Sequence, residues 1–133
     1  MLVYTETYPD YNGNNRTEDF RFHFSQAELL EMEIATEGGF SARVNRIINA
    51  NNQPELFQVM KTFVLDAYGV KSEDGRRFMK TPEIRQEFLE SPVYSRIMTR
   101  LTIGPNAAEE ASKFINGVTP EEMPKPMAVS AAT

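Results

Sequence analysis

The chain has no cysteine, which removes disulfide frameworks and thiolate metal centres from consideration. It has one histidine, His23, so a zinc site built on two or three imidazoles is out of reach within one chain. His23 lies between Phe22 and Phe24 and reads as an outward-facing strand residue, because its neighbours supply the apolar half of an alternating pattern. No apolar run approaches the roughly 20 residues that cross a bilayer. The opening residues, Met1 to Glu6, lack the basic start and apolar stretch of a signal peptide. A soluble, intracellular protein is the expectation. Gly38-Gly39 is followed by neither a GK[ST] nor a GxGxxG pattern, so no glycine-rich phosphate loop is present. A histidine-assisted nucleophile is equally disfavoured.

What remains is 133 residues, enough for one domain with a real hydrophobic core. Fourteen basic residues face nineteen acidic ones, a net charge of −5. That balance disfavours general nucleic-acid binding.

The first 24 residues read as a β-hairpin. Leu2 to Tyr8 is rich in strand formers, Asn12-Gly13 marks the turn, and Phe20, Phe22 and Phe24 alternate with Arg21 and His23. Two strands are marginal alone in water, so the aromatic face is expected to lie on the chain's own helices.

Everything after that hairpin has a helical pattern. Ser25-Gln26-Ala27-Glu28 is a capping box, opening a helix expected to end near Gly38-Gly39. A second helix carries Phe40, Val44, Ile47 and Ile48 on one face. The segment from Pro54 to Tyr68 keeps helical spacing through Leu56, Phe57, Met60, Phe63, Val64 and Ala67 and is expected to be the most buried helix. Thr81-Pro82 and Ser91-Pro92 are two further cap-plus-proline starts, and another helix follows Gly104-Pro105 and stops at Asn116-Gly117. The fold expectation is α+β and predominantly helical: an N-terminal hairpin packed on about five or six short helices. One globular domain is expected over residues 1–117 (hairpin 1–24, helical part 25–117), with a flexible proline-containing tail over 118–133.

Between two of the helices lies Tyr68-Gly69-Val70-Lys71-Ser72-Glu73-Asp74-Gly75-Arg76-Arg77-Phe78. It reads as a polar connection in which Gly69 caps the preceding helix in a left-handed conformation and Asp74-Gly75 makes a turn. Lys71, Arg76, Arg77 and Lys80 cluster there, diluted by Glu73 and Asp74. Met32 and Met79 lie off the main apolar stripes, and methionine adapts to varied partners. These eight residues, Met32, Lys71, Glu73, Asp74, Arg76, Arg77, Met79 and Lys80, are the candidate partner-binding set. Two rivals stand beside a protein-binding role. The basic cluster could bind nucleic acid as an adaptor or regulator. The other is an enzyme that uses the carboxylates from Glu28 to Glu37 with a metal, since Glu33 and Glu37, one turn apart, could hold a hard cation or act as an acid/base pair. No cofactor is implied, and nothing in the residues argues for an enzyme.

Four segments carry a family resemblance: Asp19 to Leu29, Tyr68 to Phe78, Glu87 to Tyr94 and Glu110 to Pro120. Together they resemble the tail assembly chaperones of long, non-contractile-tailed bacteriophages, over about Tyr4 to Pro120. The resemblance implies a protein that coats the aggregation-prone tape measure protein in the host cell cytoplasm. It implies displacement during assembly and absence from the mature virion. It also implies a longer product of programmed frameshifting that recruits tail tube protein, with the tail at 118–133 as its point of attachment. Self-association through the polar residues of the Lys71 to Lys80 loop stays open beside partner binding, and the lack of a long apolar run leaves no membrane partner expected.

Overall fold

The structure, a computed structural model, describes residues 1–50 and 52–120. Strands β1 (Leu2–Pro9) and β2 (Asn15–Phe22) form the expected antiparallel hairpin, with Leu2 opposite Phe22 and Pro9 opposite Asn15. Asp10 builds the turn: its Oδ1 accepts from the amides of Asn12 and Asn14, and Gly13 supplies a φ of 84°. Six helices follow among the described residues: α1 (Gln26–Ala35), α2 (Phe40–Asn49), α3 (Gln53–Ala67), α4 (Pro82–Leu89), α5 (Pro92–Thr102) and α6 (Ala107–Val118). The architecture is α+β and mostly helical, as the pattern predicts.

The pattern did not show a second hairpin. Tyr68 to Met79 is not a plain connection between helices, because β3 (Tyr68–Lys71) and β4 (Phe78–Met79) extend the sheet to the order β1-β2-β3-β4, antiparallel throughout. Gly69 is not a left-handed cap either. It is the strand residue opposite Arg21, and a Cβ there would stand 2.6 Å from the Phe78 ring and 2.8 Å from the Met79 carbonyl oxygen. Glycine is needed for close approach, not for positive φ. Helix α3 passes directly into β3 through Tyr68 in extended conformation.

One aromatic cluster joins sheet and helices. Phe22 is fully buried and packs against Phe114 of α6 at 5.2 Å between centroids, and against Tyr4, Tyr68 and Phe88 at 5.7 Å each. Phe24 meets Phe63 of α3 at 5.0 Å, and Phe63 stacks on Phe40 of α2 at 5.3 Å. The hairpin's aromatic face therefore packs on the chain's own helices. Helix α3 buries Leu56, Val59, Met60, Phe63, Val64, Leu65 and Ala67, the deepest burial of any helix. Its start is capped by Asn52, whose side chain accepts from the Glu55 amide, and Pro54 occupies the first turn.

Three details at the other helix ends depart from the sequence reading. Ser91 holds the N-cap position of α5, but its hydroxyl donates backward to the Phe88 carbonyl at 2.7 Å. Helix α1 ends at Ala35, before Gly38-Gly39, so Glu37 lies outside the helix that carries Glu33. Helix α6 runs through Gly117 to Val118, and a Cβ on Gly117 would come 3.0 Å from Leu2. That glycine lets the helix lie against β1. Val118 and Thr119 are buried, with the Phe24 amide donating to the Val118 carbonyl at 3.0 Å. The remainder of the expected tail, residues 121–133, lies outside the described residues.

A partly buried ion pair crosses from sheet to helix. Glu6 faces inward from β1 and accepts two hydrogen bonds from Arg100 of α5, at 2.9 and 3.0 Å. The same guanidinium lies over the Tyr4 ring, 5.2 Å from its centroid. Burial raises the Tyr4 phenol to about 12, although Arg100 pulls the other way.

Gly69→Ala tests the close approach of the two hairpins. The added methyl forces the Phe78 ring or the strand backbone to move, and the variant is expected to lose about 1–3 kcal/mol in urea unfolding.

Candidate functional site

The residues between β3 and β4 form a tight, self-bonded turn. The Ser72 amide donates to the Arg77 carbonyl at 2.8 Å, and Gly75, at φ 76°, donates to the Ser72 carbonyl at 2.9 Å. Ser72 is buried, and its hydroxyl donates to Asp74 Oδ1 at 2.7 Å while accepting from the Arg77 amide at 3.0 Å. Asp74 Oδ1 also accepts from the Arg76 amide at 3.0 Å. That backbone bond, with the Ser72 hydroxyl, holds the Asp74 carboxyl below the ordinary aspartate range. Asp74 thus shapes the turn, while Glu73, Arg76 and Arg77 are exposed around it and the Lys71 ammonium turns back to donate to the Ser72 carbonyl at 3.4 Å.

Lys80 does not join that cationic tip. Its ammonium donates to the His23 carbonyl at 2.7 Å and to Glu28 Oε2 at 2.9 Å, and it lies over the Phe24 ring at 4.7 Å and the Phe78 ring at 5.8 Å. It ties the second hairpin to the start of α1. Glu28 is committed twice, because its Oε1 also accepts from the Ser25 amide and closes the expected capping box. Burial by itself would raise the Glu28 carboxyl, but the hydrogen bonds from Lys80 and from Ser25 outweigh it and hold the group below the usual value of 4.5.

Beside this clamp lies an open groove of about 440 Å³ between α1 and α3. Phe24, Met32, Ala35 and Leu65 give it apolar walls. The ion pairs Lys80–Glu28 and Arg85–Asp66 line it as well. Met32 is half-buried against the core and lines this groove. Met79, also half-buried, is the strand residue opposite Val70. The structure therefore separates the eight candidates: Met32 and Lys80 share the groove, Lys71, Glu73, Arg76 and Arg77 share the hairpin tip, Asp74 holds the turn and Met79 belongs to the sheet.

The sequence reading missed the outer face of α1. Leu30 and Ile34 are 53 % and 84 % exposed, one helical turn apart, while Leu29 of the same helix is buried. The helix is apolar on two sides. The available signal was in QAELLEMEIA itself, where apolar residues are too many for one stripe. Among the described residues, no group of three or more His, Asp or Glu side chains is arranged to hold a metal ion. No described helix is long and apolar enough to cross a membrane.

Fold and surface together define a small, mostly helical α+β domain with apolar side chains turned outward on one helix. A family model described as phage tail assembly chaperone matches residues 1–132, and the chain belongs to that family. The role of that family is a non-catalytic one, exercised on protein partners in tail assembly. Neither the curated proteins nor the solved structures give a significant match.

The Lys80–Glu28 clamp has a pH signature. A carboxyl whose pKa is lowered by folding contributes stability at neutral pH and loses it as pH falls below about 4.5 toward the folded-state value. The stability difference between the natural chain and Glu28→Gln is expected to shrink on acidification through that window, read from melting temperatures at pH 7 and at successively lower pH.

Proposed function

We propose that this chaperone binds the tape measure protein and keeps it soluble in the host cytoplasm until the tail tube grows around it. Displacement during assembly would leave the mature virion without it, and a longer frameshifted form would recruit tail tube protein. The setting of this reading is a long, non-contractile tail. The observation that carries the reading is the exposed pair Leu30 and Ile34 on α1; another face of the same helix lends Met32 to the groove. Exposed leucine and isoleucine one turn apart suit an apolar stripe on another helix, the pattern a long helical partner presents along its length. Clustered apolar exposure of this kind marks interaction surfaces. Methionine at the groove wall suits a binder that must accept many non-identical segments of one long chain. The charged tip around Lys71 and Arg77 is a second contact area, suited to polar contacts at the rim.

Co-expression with the tape measure protein tests this directly. The natural chain is expected to raise the partner's soluble fraction and to co-purify with it. Leu30→Asp/Ile34→Asp, whose substitutions lie in solvent and leave the core intact, is expected to lose most of that effect while retaining its own circular dichroism and melting temperature. A soluble fraction indifferent to either form refutes the proposal.

A further inference from the structure

Among the described residues nothing pairs with the outer edge of strand β1, and we infer that it pairs with β1 of a second copy of this chain. The direction of its hydrogen-bonding groups follows from two bonds. The Asp10 amide donates to the Asn14 carbonyl at 2.8 Å, and the His23 amide donates to the Ala67 carbonyl at 2.9 Å. Carried along the registers of both strand pairs, these place the even-numbered residues of β1 in its ladder with β2. Val3, Thr5 and Thr7 therefore turn their N–H and C=O groups to the other side. Among the described residues none of those groups has a backbone partner. Pro9 has the same parity, which is where a residue without an N–H is tolerated.

Sheet edges are normally blunted by charge, brevity or a bulge. The far edge of this sheet is blunted by brevity, because β4 is two residues long. β1 is eight residues of LVYTETYP, and its one charge, Glu6, is turned inward and neutralised by Arg100. The outward side chains Val3, Thr5 and Thr7 carry no charge and are exposed.

The strand is complementary to itself. A two-fold antiparallel pairing centred on Thr5 sets Thr5 opposite Thr5 and Val3 opposite Thr7 of the second copy. Every pair then matches outward-facing N–H and C=O groups on both sides. β-Branched and threonine pairs of this kind are favourable across strands, and Thr7 already makes one with Thr17 of β2, with the hydroxyls 2.9 Å apart. An extended segment of an unrelated partner would satisfy the backbone equally well but would not reproduce this side-chain match.

Sedimentation of the full chain over a wide concentration range is expected to show a monomer–dimer equilibrium. Val3→Lys/Thr7→Lys sets like charges opposite one another twice and is expected to weaken the dimer by about tenfold or more. Val3→Lys/Thr7→Glu sets opposite charges there twice and is expected to keep it. Thr5→Pro removes an edge N–H, leaves the β1–β2 backbone ladder in place and gives up the exposed hydrogen bond from the Thr5 hydroxyl to Asp19; it is expected to abolish dimerisation with the fold retained by circular dichroism. A monomer at every concentration overturns the inference. So does a dimer that all three variants leave unchanged, or one that both lysine variants weaken equally.

Discussion

Phe22 is the contact on which the rest of the structure depends. It is the last residue of β2, and its ring touches residues from β1, β3, α4 and α6. Removing it would take away the side chain that makes sheet and helices one core, since a void of that size is refilled only in part. The neighbouring Phe24 extends the same row to Phe63, and Phe63 to Phe40. Edge-to-face geometry recurs along this row, as the ring quadrupole favours. A small domain with a mixed sheet-and-helix core gains its uniqueness from such directional contacts.

That core leaves helices of two kinds. α3, α5 and α6 turn most of their apolar residues inward, with Phe57 of α3 and Ile103 at the end of α5 left exposed. α1 hangs on the core through Leu29, through the half-buried Met32 and through the Lys80 clamp at its first turn, and it spends its remaining apolar residues outward. A helix fastened at one end by charge and capping, with little burial elsewhere, belongs to the less stable part of the fold. Such elements are where binding surfaces are commonly found, because rearranging them disturbs little of the core. The rigidity of the Phe22 row and the exposure of α1 are complementary features of one domain.

Much of this was legible in the sequence. The alternation of Phe20, Phe22 and Phe24 placed the aromatic face, the Ser25–Glu28 capping box placed α1, and the spacing from Leu56 to Ala67 identified the central helix. The second hairpin was hidden because Tyr68 to Met79 contains only short strand runs around a polar turn, and a two-residue strand has no periodicity to detect. Gly69 and Gly117 were read as helix punctuation, since close packing against Phe78 and Leu2 is a tertiary property. Glu6 shares the inward parity of Leu2, Tyr4 and Tyr8, so its burial could be anticipated, but its partner Arg100 is 94 positions away. Of the candidate site, Met32 was read only as lying off the main apolar stripes, and the structure sets it half-buried in a groove wall, whereas Lys80 looked like part of a basic cluster until the fold turned it toward Glu28. Leu30 and Ile34 were passed over because a helix with apolar residues on two sides gives no clean stripe.

Hydrogen exchange on the chain alone and in the presence of the tape measure protein tests the central claim most directly: a rigid aromatic core presents α1 as the working surface. The account predicts that amides of β2, α3 and α6 exchange slowest in both states, and that α1 exchanges faster alone and becomes protected by the partner. Protection gained elsewhere with α1 unchanged, or an α1 already as slow as α3 in the free chain, would contradict it.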